Sequence, residues 1–265
     1  MLIAPATIGM PLAEVDTPCL LLDMDAFERN IQRLTDSLAG SRVKVRPHAK
    51  SHKCPQIAMR QLAAGAVGVC CQKVSEAEAL VAGGVKDVLV ANEVVGRVKL
   101  DRLAALARQA KVAVCADDAG NVRDIDAAAR GFGVVIDVLV EVNVGANRCG
   151  VEPGEPALRI AQAIAAGPNL RFAGLQAYQG AAQHMRGVEQ RRAAIAAAAE
   201  KVRITKALLQ QHGIACGKVT GAGTGTYLFE ASSAVYDELQ PGSYIFMDAD
   251  YARNDWTESG IPRFE

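Results

Sequence analysis

The sequence predicts an α/β fold in which short buried strands alternate with helices, and three observations carry that prediction. Short runs rich in Val, Ile and Leu recur along the chain and read as strands covered on both faces. Ala-rich stretches with helical spacing lie between them. The 265 residues match the roughly 250 that one (β/α)8 barrel needs. Eight strands with intervening helices give a TIM-type barrel or a doubly wound sheet, and one barrel would fill the chain.

Taken in order, Pro18–Leu22 reads as a strand and Asp25–Leu38 as a helix. Eight further strands are expected at Val43–Arg46, Val67–Cys71, Asp87–Ala91, Val112–Ala116, Val134–Asn143, Phe172–Tyr178, Gly217–Thr220 and Ser243–Met247. Helices are expected between them at Ser75–Ala82, Arg97–Arg108, Ala119–Arg130, Ala157–Ala166 and Val188–His212. Pro18–Leu22 is one strand too many for a plain barrel, so it is expected to join a second domain or to cap the barrel bottom. The organisation is then residues 1–40 as an N-terminal strand and helix, 41–250 as the barrel, and 251–265 as the start of a connection onward.

Lys and Arg number 29, as do Asp and Glu, so the basic excess of a nucleic-acid scaffold is missing. No apolar run approaches the roughly 20 residues that span a bilayer. The first residues are apolar, lack a basic stretch and are broken by Pro5 and Pro11, which does not read as a signal peptide. The seven cysteines are odd in number and include the neighbours Cys70 and Cys71; reduced thiols in a cytoplasm are expected.

In barrels and open parallel sheets chemistry sits at the carboxyl ends of strands. The residues there are polar: Arg46, His48 and Lys50 after the first barrel strand, then Gln72, Asn92 with Glu93, Asp117, Asn143 with Arg148, Tyr178 with Gln179, Thr220, and Asp248. In V-K-V-R-P-H-A-K-S-H-K, Pro47 ends the strand and puts Lys50 at the barrel mouth. A lysine desolvated there offers a neutral amine to a carbonyl. In V-T-G-A-G-T-G-T-Y, glycines let backbone N–H groups approach a phosphate at the start of a short helix, after the seventh strand. A lysine at one strand end and a phosphate cup at another suit an aldehyde phosphate, and pyridoxal 5'-phosphate (PLP) fits.

These motifs resemble the D-threonine aldolase and D-serine dehydratase family, the fold-type III PLP enzymes related to alanine racemase. R-P-H-A-K-S-H-K is similar to its PLP-lysine motif, and G-V-C-C-Q-K-V-S-E-A-E, L-Q-A-Y-Q-G-A-A-Q-H-M and E-L-Q-P-G-S-Y-I-F-M-D-A-D-Y resemble the 3-hydroxy-D-aspartate aldolases most closely. The resemblance runs from Asp16 to Glu265 and implies the alanine racemase N-terminal type of barrel. It implies Lys50 as the Schiff-base lysine, Gln72 near it, Arg148 by the phenolic oxygen of PLP and Tyr178 on the ring side. It further implies Thr220, Gly221, Ala222, Gly223 and Thr224 as the phosphate cradle, with Tyr244 and Asp248 on the strand-eight side of the same site.

The implied reaction is cleavage of a D-3-hydroxy amino acid, such as 3-hydroxy-D-aspartate or D-threonine, to glycine and an aldehyde such as glyoxylate. His48 is a candidate second proton handler. A dehydratase of the same family would instead use Lys50 as the base at Cα. A PLP-binding barrel without turnover, or a barrel using Lys50 directly on a sugar phosphate, are readings from other classes. The family carries a divalent metal (Mg, Mn or Zn) on a His and a Cys or Asp of a C-terminal β-domain. Neither that domain nor its ligand spacing is found in these residues, so the chain is expected to lack the β-domain and to be incompetent in turnover alone. A homodimer is expected, with no nucleic-acid or membrane partner.

Overall fold

The computed structural model describes residue 4 and residues 6–265; the sequence reading of the start as no signal peptide falls partly on residues 1–3 and 5, outside the described residues. Eight parallel strands form one sheet in the order β1-β8-β7-β6-β5-β4-β3-β2. They are β1 Lys44–Val45, β2 Val69–Cys71, β3 Asp87–Glu93, β4 Lys111–Ala116, β5 Ile136–Glu141, β6 Leu170–Ala177, β7 Val219–Gly221 and β8 Glu238–Leu239. The two ends of the sheet meet where His48 bridges Cys70 in parallel and Val67 N donates to Val45 O at 2.9 Å. The fold is therefore a closed barrel of eight parallel strands.

Helices α2 Pro55–Ala63, α3 Val74–Ala82, α4 Arg97–Leu106, α5 Ala119–Phe132, α6 Glu155–Ala166, α7 Val188–Gln211 and α8 Tyr227–Ser232 each follow a strand, and α1 Met24–Ser37 precedes β1. Among the described residues no α-helix follows β8, only short 3-10 turns. The place of such a helix on the flank is taken by α1, whose Asn30 donates to Ile245 O at 3.2 Å and to Glu265 O at 2.7 Å. Among the described residues no helix is long and apolar enough to cross a membrane.

Strand alternation sorts the core into two parts. Val88 and Val90, Val112 and Val114, and Val138 and Val140 face the helices and join the large outer core. Cys70, Leu89, Ala113, Cys115 and Leu139 face inward and form a small separate cluster inside the barrel. These inward residues are mostly small, so the barrel interior has room above them for a cavity.

Two expectations are corrected. Ser243–Met247 is not the eighth strand: Ser243–Ile245 is a 3-10 turn, and β8 lies earlier, at Glu238–Leu239. The apolar-run rule passes over β8 because a charged and an amide residue flank Leu239, and Pro241-Gly242 then breaks the chain. Pro18–Leu22 forms no strand; Leu20 and Leu21 are exposed, with no strand to pair. The short helix α2, which starts at Pro55, was not expected from the pattern.

Candidate active site

A cavity of about 550 Å³ opens at the carboxyl ends of the strands, within the range of small-molecule sites. Lys50, His48, Gln72, Arg148, Tyr178, Ala222, Gly223, Thr224 and Asp248 all line it. Residues from the loops after β1, β2, β5, β6 and β7 thus meet, as the strand-end reading expects.

Lys50 sits in a 3-10 turn, Ala49–Ser51, directly after the barrel closure. The turn is capped by His48, whose Nδ1 accepts the Lys50 backbone N–H at 3.3 Å. That bond leaves the ring proton on Nε2 of a neutral imidazole. Burial, and then the charges of Lys50 and Arg148, hold His48 well below the usual histidine value. Burial also holds the Lys50 amine below its usual value; Cys70 opposes this and Arg148 reinforces it. Lys50 Nζ lies 5.8 Å from the centre of the Tyr178 ring, and the Arg148 guanidinium lies 5.4 Å from it. Two cations therefore lie close to one ring, and the charge of Arg148 weakens proton binding by the Lys50 amine.

On the opposite wall, Ala222, Gly223 and Thr224 follow β7. Ala222 takes a positive φ of 74°. No hydrogen bond among the described residues takes up the backbone N–H of Ala222, Gly223 or Thr224, and three donors without an acceptor make an anion cup. The loop's shape is held from behind: Gly225 N donates to Gln183 Oε1 at 2.8 Å, and Gln183 Nε2 donates to Thr226 Oγ1 at 2.9 Å. Thr226 in turn donates to Glu230 Oε1 at 2.9 Å, and burial raises that carboxyl to about 8, so it stays neutral beneath the cup. Helix α8 has only six residues, so the cup rests on loop N–H groups rather than on a long helix dipole.

Several expected residues lie elsewhere. Arg46 turns away from the mouth and bonds Asp87 and Glu238 at the amino-terminal end of the barrel. Thr220 is fully buried and accepts from Gln240 Nε2 at 2.8 Å, behind the cavity wall. Gly221 belongs to the wall itself: a Cβ there would stand 2.2 Å from Ala177 O. Tyr244 is not a lining residue, because with β8 ending at Leu239 it falls in the following turn; there it packs edge-on against Phe264 and accepts from Gln61 Nε2 at 2.9 Å. Asp248 reaches the rim, where its Oδ1 accepts from Asp250 N at 2.8 Å.

Other lining residues were missed. Gly242 and Ser243 follow the displaced β8; Gln176 and Gln240 exchange amide hydrogen bonds of 3.0 and 2.8 Å on the floor. The four histidines do not converge: His48 and His52 flank Lys50, His184 pairs with Asp250 at 2.7 Å, and His212 ends α7. The group that does form among the described residues is Glu93, Glu141 and Cys149, within 4.8 Å of one another. Its members come from the end of β3, the end of β5 and the loop that returns after β5, so no local spacing reveals it.

The fold and cavity define a parallel β/α barrel that presents a desolvated lysine opposite a phosphate-sized cup. A family model for the N-terminal domain of alanine racemase matches residues 22–250. A D-threonine aldolase of Arthrobacter sp. is 51% identical over 252 residues, 95% of this chain and 66% of its own length. A 3-hydroxy-D-aspartate aldolase of Paracoccus denitrificans (strain Pd 1222) is 50% identical over 251 residues, 94% of this chain and 65% of its own length. The crystal structure of D-threonine aldolase from Filomicrobium marinum superposes with a TM-score of 0.96 at 56% identity, over 99% of this chain and 71% of that one. The chain thus spans about two thirds of the length of the curated relatives it matches. It belongs to the D-threonine aldolase family, on the alanine racemase N-terminal domain fold.

Proposed function

We propose that this barrel is the PLP-binding part of an aldolase that cleaves D-3-hydroxy amino acids, of the 3-hydroxy-D-aspartate or D-threonine type, to glycine and an aldehyde. The observation that carries it is the pairing of a low-pKa Lys50 with three unused N–H groups across one cavity. Those two features match the two ends of an aldehyde phosphate. Lys50 would hold the aldehyde carbon and Ala222–Thr224 the phosphate. When bound, PLP supplies an electron sink for the pair released as the Cα–Cβ bond breaks.

The chain's own residues supply binding, orientation and proton control. Because Lys50 is held below its ordinary value, its amine loses a proton at lower pH than a solvated lysine. Arg148, on the Tyr178 side, offers positive charge to an oxygen anion of the ligand. His48 spends Nδ1 on the Lys50 backbone, so it can donate from Nε2–H but is a poor base. The D-configuration of the substrate rests on the relatives, whose names carry it.

The test is borohydride reduction of the PLP-loaded protein, peptide mapping, and product analysis with D-3-hydroxyaspartate. Label on Lys50 is expected in this chain, and release of glycine once the barrel is joined to a metal-bearing C-terminal β-domain of the family's type. Label on Lys53 or Lys73 with Lys50 bare would overturn the site; ammonia and a keto acid in place of glycine would overturn the reaction.

A further inference from the structure

Glu93 and Glu141 are the last residues of β3 and β5, in the same inward-facing rows as Leu89 and Leu139. They form the top inner layer of the barrel, above Cys115. The loop after β5 then folds back over them. Val151 N donates to Glu141 O at 3.0 Å, and Gly150 N donates to Asp117 Oδ2 at 2.9 Å. Gly150 takes a φ of 93°, and a Cβ there would stand 2.8 Å from Asn143 N, so the close return needs glycine. The return carries the Cys149 thiol to 3.7 Å from Glu141 Oε1.

Charge balance in this layer is incomplete. Glu141 is 3% exposed, and its Oε2 is buried without a hydrogen-bond partner; Glu93 Oε1 is likewise without one. Among the described residues neither carboxylate is in a salt bridge. The Arg148 guanidinium attracts both carboxylates but forms a salt bridge with neither among the described residues; its side chain bonds the Cys149 sulfur. A buried carboxylate without a cationic partner either keeps its proton or holds a metal ion. Here two carboxylates and a thiol converge within 4.8 Å. Ligands on tetrahedral zinc stand roughly 3.3–3.8 Å apart, given bonds of about 2.0–2.3 Å, so side-chain movements of about an ångström close the set. Three protein ligands leave a fourth position open, and Cys149 lies on the cavity wall, where that position would face.

We propose that Glu93, Glu141 and Cys149 form a binding site for one divalent, thiolate-accepting ion of the zinc class on the wall of the main cavity. The mixed oxygen and sulfur donors select zinc or cobalt over magnesium or calcium, which take oxygen alone. The site is independent of the reading of Lys50 and its ligand, since it uses neither.

The experiment titrates the tag-free, cofactor-free, EDTA-treated 265-residue chain with Zn²⁺ alone, by calorimetry and by metal content after desalting. X-ray absorption at the zinc edge then reads the donors. One zinc per chain is expected, with one sulfur at about 2.3 Å and the remaining ligands oxygen. Glu141→Gln and Cys149→Ser should each weaken binding by at least about 100-fold, more than the 10–100-fold that losing an outer hydrogen-bond partner costs. Should Glu141→Gln fail to fold by circular dichroism, Glu93→Gln and Cys149→Ser carry the same test at partly exposed positions. No zinc retained at micromolar concentration, equal binding by the variants, or an absorption spectrum without sulfur would each overturn the proposal.

Discussion

At the amino-terminal end of the barrel Arg46, 2% exposed, lies 2.7 Å from Asp87 and 3.2 Å from Glu238, and Lys111 and Lys218 complete the network at 3.1 and 3.2 Å. At the carboxyl end Lys50, His48, Glu93 and Glu141 are buried or half-buried with no salt-bridge partner among the described residues. The consequences are opposite. Burial alone would lower Arg46 and raise Asp87 and Glu238; their mutual attraction outweighs it and keeps all three charged. At the other end burial prevails. Lys50 and His48 are lowered, Glu93 is raised, and Glu141 reaches about 8. One end uses charge to close the barrel. The other shifts its groups toward their uncharged forms, which favours proton exchange or the acceptance of a ligand.

Removing a charge should therefore cost activity at one end and stability at the other. Lys50→Ala should give the largest functional effect: no borohydride label, and no glycine release even when the barrel is joined to a C-terminal β-domain. Its cofactor-free protein should unfold within about 0.5 kcal/mol of the parent, since no partner is stranded. A large drop in stability would mean that Lys50 has a structural partner and would break the contrast. Arg46→Ala should do the reverse. It leaves Glu238 buried and Asp87 half-buried with only their lysines, which should cost about 3–5 kcal/mol in urea unfolding. A loss under about 1 kcal/mol would show that the network at that end is not holding the barrel.

Acid separates the ends by pH. Asp87 and Glu238 are held low, so their contribution is present above the unfolded carboxylate values near 4 and is lost only as pH falls below them. His52, beside Lys50, is lowered by burial from 6.5 to about 4. The unfolded chain binds that proton first, so stability falls as pH drops from 6.5 toward 4, and His48 acts in the same direction. In His52→Gln the loss of unfolding free energy across this pH window should shrink by about 2 kcal/mol. An unchanged loss would place the acid-sensitive groups elsewhere.

The contrast also explains what was legible in the sequence. Strands β3 to β7 announce themselves because their alternate residues are Val, Leu and Ile facing the helices. The β8 strand hides because Glu238 serves the ion network at the paired end and Gln240 the amide network on the cavity floor. Lys50 and the 222–224 loop are legible because a proline and a run of glycines mark where the backbone must turn. Arg46 misleads: its position after β1 suggests the mouth, but a long side chain reaches the opposite end. Tyr244 follows the error in β8. The Glu93, Glu141 and Cys149 group needs the ends of β3 and β5 and the returning loop after β5 to be brought together in space, and Gln183, which shapes the cup, acts from the loop after β6.

The smallest expected effect divides a single loop between wall and cup. Gly221 and Gly223 are two residues apart and look equivalent in sequence. A Cβ on Gly221 would meet the backbone oxygen of Ala177 at 2.2 Å, in the neighbouring strand, which cannot move without opening the barrel. A Cβ on Gly223 would meet the Gln183 amide at 2.6 Å, a side chain that can shift. That amide holds Gly225 N and Thr226 Oγ1, so its displacement should distort the cup while leaving the strands in place. Gly223→Ala should weaken PLP binding by about 10-fold, roughly 1.4 kcal/mol, with the melting temperature of the cofactor-free protein unchanged; Gly223→Val should weaken it further. Gly221→Ala should instead lower that melting temperature. Fluorescence titration with PLP beside thermal melts distinguishes them. If Gly223→Val folds and binds PLP as tightly as the parent, the 222–224 loop is not the phosphate site, and the three free N–H groups there serve something else.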